Sequence, residues 1–275
     1  MADGITLSIA SLEEAEQISE MSQSLHRRTP VHIKIDTGMG RLGLVWQKAL
    51  RQIEKIVNLP SLDIEGIYTH FPTAEKEDGF SQEQLVRLNS LIDDLEKKEI
   101  RFPLRHAANS AGIFKTRSPR MNMVRPGLML YGLYPDESIR SRVRVLPVLS
   151  LKSRIINVKR LASGDSVGYG RTFVAEGSTN IAILPIGYSQ GYPWRASGQS
   201  HVIYKGKRCA IAGRVSMDYI AVNVENADAR NGDEVTLIGE ENGVAVTVED
   251  IAHWTGTIPY EVVTRLSPAL PRFYR

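Results

Sequence analysis

The chain has 275 residues, 42% of them hydrophobic and 24% charged, with 34 basic side chains against 31 acidic ones. This composition is typical of a globular protein with one or two domains. The net charge of +3 is too small to indicate a nucleic-acid or membrane partner, so we expect neither. The single cysteine, Cys209, cannot form an intrachain disulfide. With no secretory signal and no apolar run of ~20 residues, this favours a cytoplasmic protein.

Strand-like and helix-like segments alternate in the first half. The predicted strands are Ile5–Ile9, Val31–Ile35, Ile64–Tyr68, Leu104–His106 and Met123–Tyr131. The predicted helices are Leu12–Leu25, Leu44–Val57, Phe80–Lys98 and a short helix that starts at Ser110. Strands separated by helices imply parallel βαβ units. A (β/α)₈ barrel needs eight strands in about 250 residues, so five strands predict either an open sheet or the last part of a barrel.

The second half changes character from about Val143 onward, where β-branched runs alternate with turn residues. The predicted strands are Val148–Val158, Asn180–Pro185, His201–Lys205, Arg208–Ala212, Asp218–Val224 and Glu234–Ile238, with a single helix at Thr247–Trp254. This pattern predicts a compact antiparallel β-domain. The polar stretch Pro135–Ser138 predicts a linker, which divides the chain into an α/β domain of residues 1–138 and a β-domain of residues 139–275.

Polar side chains interrupt the strand that precedes the glycine-rich run Gly38–Gly43. Val31, Ile33 and Ile35 share one face of it, while Lys34 lies on the other face. Because a buried parallel strand is usually apolar on both faces, we expect Lys34 to point toward a site at the strand's C-terminal end. The alternative is a structural ion pair between Lys34 and a nearby carboxylate.

Three further strand ends carry polar residues. His70 closes one strand, Ser110 starts a helix after another, and Arg125 lies within the apolar run Met123–Tyr131. Two of them have a structural alternative: a core histidine for His70 and an ordinary helix N-cap for Ser110. Arg125 needs a partner, because a buried unpaired charge is costly. Together, cations and phosphate-type donors at successive strand ends are typical of barrels that bind phosphate cofactors.

In the β-domain, Tyr169 stands between two glycines, which favours either a projecting functional phenol or a turn tyrosine at the surface. Eight runs, in this order, resemble alanine racemases along nearly the whole chain: VHIKIDTGMGRLG, GIYTHF, HAANSAG, NMVRPGLMLYG, VGYGRT, PIGYSQGYP, GRVSMD and IPYEV. The resemblance implies a pyridoxal-phosphate (PLP) binding (β/α)₈ barrel followed by a β-domain. It also implies a homodimer in which each active site uses the partner's β-domain.

The resemblance assigns roles to residues by motif. Arg125 resembles the arginine that faces the PLP pyridine nitrogen, and His70 the histidine over the ring. The groups that bind the PLP phosphate correspond to Ser110, Gly127, Leu128 and Tyr260. Arg41 and Met217 resemble the residues that meet the carboxylate of the small amino-acid substrate, and Tyr188 lies at the entrance. Lys34 resembles a lysine that is carbamylated in some members, and no metal is implied.

The implied reaction interconverts L-alanine and D-alanine with one base on each face of Cα. Tyr169 resembles one base, and the other is the lysine that holds PLP as a Schiff base. That lysine lies in a K-A-x-A/D-Y-G-H-G-like run on the first barrel strand, and the 275 residues contain no such run. We therefore expect a truncated chain with no specific Schiff base and no activity alone. The alternatives are a non-catalytic remnant that binds PLP or dimerises, and a racemase for serine or another small amino acid.

Overall fold

The computed structural model describes residues 4–116 and 118–274. The chain forms two compact units. The first extends to Leu130 and also includes Pro135–Arg144, whereas the second comprises Tyr131–Tyr134 and the chain from Val145 onward. Because the chain passes between the units three times in this region, a single boundary after residue 138 stays a prediction.

The first unit is a parallel sheet covered by helices. Its elements are β1 (Leu7–Ile9), α1 (Leu12–Ser24), β2 (Thr29–Asp36), β3 (Leu44–Val45), α2 (Trp46–Ile56), β4 (Leu62–Tyr68), α3 (Phe80–Glu96), β5 (Leu104–His106) and α4 (Gly112–Lys115). The sheet order is β1-β2-β4-β5, and the short β3 pairs with the end of β2. All these pairs are parallel, as the alternation of strands and helices predicts.

Apolar periodicity explains where the core of this unit lies. Val31, Ile33 and Ile35 of β2 are at most 1% exposed and pack with Ile53 of α2 and Leu88 of α3. The start of α1 follows from its sequence, because the Ser11 hydroxyl accepts a hydrogen bond from the Glu14 N–H at 3.1 Å. The alternate side chains of β2 are left for the opposite face of the sheet, where the polar residues lie.

The predicted fifth strand, Met123–Tyr131, is wrong except at its first residue. Only Met123 pairs with the sheet, through an isolated parallel bridge to His106, and Leu128–Tyr131 is a 3₁₀ helix. Pro126 cannot donate to a ladder. Arg125 is therefore not inside a strand, although its N–H still donates to the Ala108 carbonyl at 2.9 Å.

The second unit is rich in antiparallel strands. They are β6 (Leu151–Arg154), β7 (Asn157–Leu161), β8 (Ser166–Val167), β9 (Phe173–Val174), β10 (Thr179–Leu184), β11 (His201–Tyr204), β12 (Lys207–Ala210), β13 (Ile220–Glu225), β14 (Glu234–Glu241) and β15 (Val244–Val246). The sheet orders are β13-β10-β7 and β12-β11-β14-β15, with β6 beside β14 and a separate β8-β9 pair.

Two predictions for this unit need correction. The run Val148–Val158 is not one strand, because the chain moves from one sheet to another after β6. The Ile155 N–H donates to the backbone carbonyl of Asp233, and the Ile156 N–H donates to the backbone carbonyl of Ile183. The helix α5 (Val248–Thr255) is also not the only one, since α6 (Pro259–Arg265) follows it. Pro259 occupies the first turn of α6, where proline is well tolerated. Within the described residues, no helix has the length and apolarity needed to cross a membrane.

Candidate active site

The candidate site of the first unit lies where β2, β4 and β5 end. Arg125 is at its centre, and one terminal nitrogen, NH2, donates to the carbonyls of Thr69 at 2.8 Å and Ala107 at 3.1 Å. The same nitrogen lies 3.3 Å from Nδ1 of His70. The predicted residues His70 and Arg125 are therefore neighbours, held together by backbone acceptors at two successive strand ends.

Arg125 has no carboxylate partner among the described residues. Its acceptors are two carbonyls and two imidazole nitrogens, so these groups are the partners that the sequence requires for this charge. Burial lowers the pKa of its guanidinium, but the group stays protonated at neutral pH. Its Nε–H has no acceptor in the part of the chain that the structure describes, so this cation can still bind an acceptor.

A directional hydrogen-bond chain runs from Arg125 through two histidines. Arg125 NH1 donates to Nδ1 of His106, and a guanidinium can only donate. His106 must then carry its proton on Nε2, which lies 2.7 Å from Nδ1 of His32. His32 in turn carries its proton on Nε2, which lies 3.9 Å from the Glu65 carboxylate. The guanidinium thus determines the tautomers of both histidines.

The two histidines of this hydrogen-bond chain, His106 and His32, are neutral at physiological pH. Burial and the Arg125 charge lower the pKa of His106 to about 3. Burial also lowers the pKa of His32, against the opposing effect of Glu65. His70 behaves alike, since burial and the same arginine lower its pKa to about 4. Neutral imidazoles leave Arg125 and its neighbouring cations as the source of positive charge at this end of the sheet.

Sequence reasoning did not identify the residues that support Arg125. The Tyr68 ring stacks on His106 at 4.7 Å between centroids, and the Arg125 Cζ lies 4.9 Å from the Tyr68 centroid. Gly66 makes room for the second histidine, because a Cβ at this position would lie 2.8 Å from the His32 ring. The only signal was the run H-I-K on β2, which places His32 on the same strand face as Lys34.

Lys34 is the second cation at these strand ends. Its side chain is only 8% exposed, and no carboxylate of the described residues lies within ion-pair distance, so the alternative of a structural ion pair is wrong. Burial, Arg41 and Arg125 lower the pKa of the amine. Asp36 opposes them, but its carboxylate already accepts hydrogen bonds from the N–H groups of Gly38 and Gly40.

Ser110 does not cap a helix, which corrects the sequence-based alternative. The helix α4 begins at Gly112, and its N-cap is Ala111. The buried Ser110 hydroxyl accepts a hydrogen bond from the Gly127 N–H at 2.8 Å. Leu128, the next residue, is buried as well. The hydroxyl and the backbone of Gly127 and Leu128 therefore form one polar corner beside Arg125.

In the second unit, the loops that carry Tyr188 and Met217 lie together. The Tyr188 N–H donates to the Ser216 carbonyl at 3.1 Å, and the Ser189 N–H to the Met217 carbonyl at 3.0 Å. Gly187 permits this approach, because a Cβ there would lie 2.2 Å from the Ser216 oxygen. The side chains of Tyr188 and Met217 are about half exposed, so both project from a backbone that is firmly held.

Tyr169 is strongly exposed, at 72%. It begins a 3₁₀ turn between Gly168 and Gly170, which both have a φ of 74°. Arg214, three residues before Met217, packs under this turn, with its Cζ 3.3 Å from the position of a Cβ on Gly170. The glycines thus hold the phenol outward above a guanidinium in the same unit.

Tyr260 lies in the first turn of α6 and is 43% exposed. The last turn of α6 packs against Gly191, where a Cβ would lie 2.1 Å from the Arg265 carbonyl. The Ser267 N–H donates to the Gln190 carbonyl at 3.1 Å. The helix is therefore anchored to the loop that begins with Tyr188.

A parallel α/β unit with cations at its strand ends, followed by a β-rich unit, is the arrangement of two-domain proteins that bind ligands at the C-terminal ends of parallel strands. Two family profiles match the chain: "Alanine racemase, N-terminal domain" over residues 1–135 and "Alanine racemase, C-terminal domain" over residues 148–274. An alanine racemase of Desulforamulus reducens is 40% identical over 274 residues, which cover 98% of this chain and 73% of that protein.

Solved structures agree in fold. The alanine racemase of Clostridium difficile 630 has a TM-score of 0.88 and 36% identity, with 96% of this chain and 69% of that one covered. An alanine racemase from Bartonella henselae with covalently bound pyridoxal phosphate has a TM-score of 0.84 and 27% identity, covering 100% of this chain and 74% of that one. The chain belongs to the alanine racemase family, and its fold is the family's α/β barrel domain followed by a β-rich C-terminal domain.

Proposed function

We propose that the first unit binds PLP at the ends of β2, β4 and β5. The chemistry of the donors supports this. Arg125 offers an Nε–H without an acceptor among the described residues, as a pyridine nitrogen requires. The Ser110 hydroxyl, which accepts a hydrogen bond from the Gly127 N–H, keeps its proton to donate to a phosphate dianion, and the Leu128 N–H is a second donor. The resemblance adds the Gly127 backbone and Tyr260 to these phosphate ligands. The residues present therefore fit the cofactor that is bound to the Bartonella henselae relative.

The reaction we propose is the interconversion of L-alanine and D-alanine, which supplies D-alanine for peptidoglycan. PLP, when bound, withdraws electrons from the amino acid and acidifies its Cα proton. The Tyr169 phenol takes or returns that proton on one face of Cα. Arg41 and the Met217 backbone would hold the substrate carboxylate, and His70, in its neutral form, would contact the cofactor ring.

Arg125 tunes this chemistry through its charge. It would donate a hydrogen bond to the pyridine nitrogen without giving up a proton, because its guanidinium stays protonated. In this way Arg125 would leave that nitrogen unprotonated and limit side reactions that need a long-lived carbanion. The observation that carries the proposal is this partly buried cation, which has histidines and carbonyls around it and no carboxylate among the described residues.

Three finer points belong to the same proposal. The protein acts as a homodimer in which Tyr169 and Met217 serve the partner's site. Tyr188 lines the entrance to that site. A carbamate on Lys34 gives Arg41 an anionic acceptor, which would hold the guanidinium in place for the substrate carboxylate.

Cofactor binding is tested with pyridoxine 5′-phosphate, which has the ring and phosphate of PLP but no aldehyde. Equilibrium dialysis of the purified chain is expected to show saturable binding. Ser110→Ala removes a hydrogen bond to a charged group, which contributes about 1.5–3 kcal/mol, and so weakens binding roughly 10- to 100-fold. Ser141→Ala, at an exposed position of the same unit, is the matched control. Absence of saturable binding would contradict the cofactor site.

Catalysis is tested by measuring D-alanine formed from L-alanine with PLP present. The proposed base is supported if Tyr169→Phe abolishes turnover and Tyr274→Phe does not. Tyr274 is the control because it is an exposed tyrosine in the C-terminal segment. Turnover that survives Tyr169→Phe would contradict it. Cofactor binding without turnover would favour the non-catalytic alternative, and faster turnover of L-serine would favour the serine racemase.

A further inference from the structure

Gln84 of α3 is a fully buried amide that none of the proposed roles uses. Its side chain is 0% exposed. Its Nε2 donates to the Thr37 hydroxyl at 3.1 Å and to the His70 carbonyl at 3.2 Å. Since a carbonyl can only accept, the NH2 group must face His70, which fixes the orientation of the amide. The helix therefore holds residues that follow two neighbouring strands, β2 and β4.

The two hydrogens of this amide begin a directional chain of hydrogen bonds. The Thr69 hydroxyl donates its single hydrogen to the Ile35 carbonyl at 2.9 Å. The Thr37 hydroxyl lies 2.6 Å from the Thr69 hydroxyl, so Thr37 must be the donor of that pair. Its oxygen in turn accepts from Gln84. Both threonines are at most 1% exposed, so water does not compete for these hydrogen bonds.

A second side chain of α3 holds the start of the loop after β2. Arg87 donates from NH1 to the Thr37 carbonyl at 2.6 Å. Gly38 packs against the same helix, because a Cβ at this position would lie 2.6 Å from Cζ of Phe80. Thr37 is thus fixed at both its hydroxyl and its carbonyl, shortly before Arg41 in the chain.

The backbone that Gln84 holds belongs to the candidate site. The Thr69 carbonyl accepts from Arg125 at 2.8 Å, and the same guanidinium nitrogen lies 3.3 Å from Nδ1 of His70. A shift of the peptide between Thr69 and His70 therefore moves an acceptor of Arg125 and the imidazole together. Stability alone does not explain the amide. Gln84 Oε1 is buried without a hydrogen-bond partner among the described residues, and a buried unsatisfied acceptor costs free energy.

We propose that Gln84 is a positioning residue of the cofactor site, which holds the His70 imidazole beside Arg125 through the His70 carbonyl and the hydroxyl pair of Thr37 and Thr69. Gln84 itself does not contact the ligand, and no covalent step takes part. This inference rests on the proposed cofactor site, because it assigns the support of two residues that are proposed to contact PLP.

The test uses the full 275-residue chain and two disruptive variants that interrupt the hydrogen bonds at different points. Gln84→Met is close to glutamine in size and removes both donors, and Thr37→Val replaces the hydroxyl by a methyl group. The controls are Thr37→Ser, which keeps the hydroxyl, and Gln82→Met, at an exposed position of the same helix. Circular dichroism verifies that each variant is folded. If Gln84→Met does not fold, Thr37→Val tests the same hydrogen bonds.

The first measurement is the titration of His70, followed by NMR of the ligand-free chain with isotope-labelled histidine. Burial and the cations Arg125, Arg41 and Lys34 lower the pKa of His70 from 6.5 to about 4. We expect this pKa to rise toward 6.5 in both disruptive variants, because the released imidazole moves away from Arg125 and into water. It should stay near its original value in both controls. A purely structural role would lower the free energy of unfolding and leave the titration unchanged.

The second measurement is the affinity for pyridoxine 5′-phosphate, determined by equilibrium dialysis. We expect about tenfold weaker binding in both disruptive variants, the effect of about one hydrogen bond, and unchanged binding in both controls. An unchanged His70 titration would overturn the inference, and so would an unchanged affinity where the unsubstituted chain binds. If the unsubstituted chain does not bind pyridoxine 5′-phosphate, the cofactor site fails, and the titration alone decides whether Gln84 positions His70.

Discussion

Gly66→Ala gives a sharp test of the histidine pair inside the first unit. Gly66 of β4 stands directly opposite His32 of β2. A Cβ on residue 66 would lie 2.8 Å from both Cε1 and Nδ1 of His32. Carbon atoms pack comfortably at roughly 3.5 Å, so the ring must retreat by more than half an ångström. The displaced atom Nδ1 is the one that accepts a hydrogen bond from His106 at 2.7 Å.

The expected cost combines three effects. Overpacking a filled site costs about 1–3 kcal/mol, and the lost hydrogen bond about 1 kcal/mol. Replacing a glycine within a strand by alanine stabilises the fold by about 0.5–1 kcal/mol, because alanine loses less conformational entropy on folding. We expect Gly66→Ala to lower the free energy of unfolding by about 1–3 kcal/mol. In a His32→Ala background the ring is gone, so the same substitution should stabilise the protein by about 0.5 kcal/mol.

Urea unfolding followed by circular dichroism measures both differences, with equal m-values as the condition for comparing them. The change of sign between the two backgrounds is the diagnostic result, because a general intolerance of side chains on β4 would give the same cost in both. An equal cost in both backgrounds would refute the contact between residue 66 and the imidazole as the cause.

Three further predictions concern pH, a loop and a turn. His106 has a pKa of about 3 in the fold and 6.5 unfolded, so its stabilisation is complete above about pH 6.5 and is lost as the pH falls toward 3. The unfolding free energy should fall by up to about 1.4 kcal/mol per pH unit in this window, with a shallower slope in His106→Gln; equal slopes would contradict this. Gly187→Ala drives a Cβ into a backbone carbonyl 2.2 Å away and should cost about 3 kcal/mol in urea unfolding, whereas Gly177→Ala, which meets no atom within 4 Å, should cost far less. Asp36→Ala removes the acceptor of two N–H groups and should lower the free energy of unfolding by about 1–3 kcal/mol, which thermal unfolding detects as a lower melting temperature. Glu16→Ala, exposed on α1, should leave the melting temperature nearly unchanged.

Periodicity in the sequence was enough to predict most of the first unit. The alternation of Val31, Ile33 and Ile35 predicted both the strand β2 and the face that it buries, and these residues are the centre of the core. Ser11 predicted the start of α1 because its side chain can cap only a helix that begins there. Such signals are local, so they survive without knowledge of the fold.

The support of the candidate site could not be predicted in this way. His32 and His106 are 74 residues apart, and they meet only because β4 lies between their strands and has a glycine at the crossing point. Ser110 looked like a helix cap because its true partner, the Gly127 N–H, is 17 residues further along the chain. The Met123–Tyr131 segment looked like a strand because most of its side chains are apolar. Pro126 has no N–H to donate to a neighbouring strand, and Leu128–Tyr131 forms a 3₁₀ helix instead.

The chain between Leu130 and Val145 has a consequence for dissecting the protein. Tyr131–Tyr134 belongs to the second unit, where the Tyr134 hydroxyl accepts from the Val145 N–H at 3.2 Å and the Tyr134 N–H donates to Glu249 at 3.2 Å. The next ten residues return to the first unit. No single cut of the chain therefore yields two intact units, because one fragment always keeps residues that belong to the other unit. Split-protein reassembly would need a duplicated Tyr131–Tyr134 strip fused ahead of Val145 to regenerate both folds.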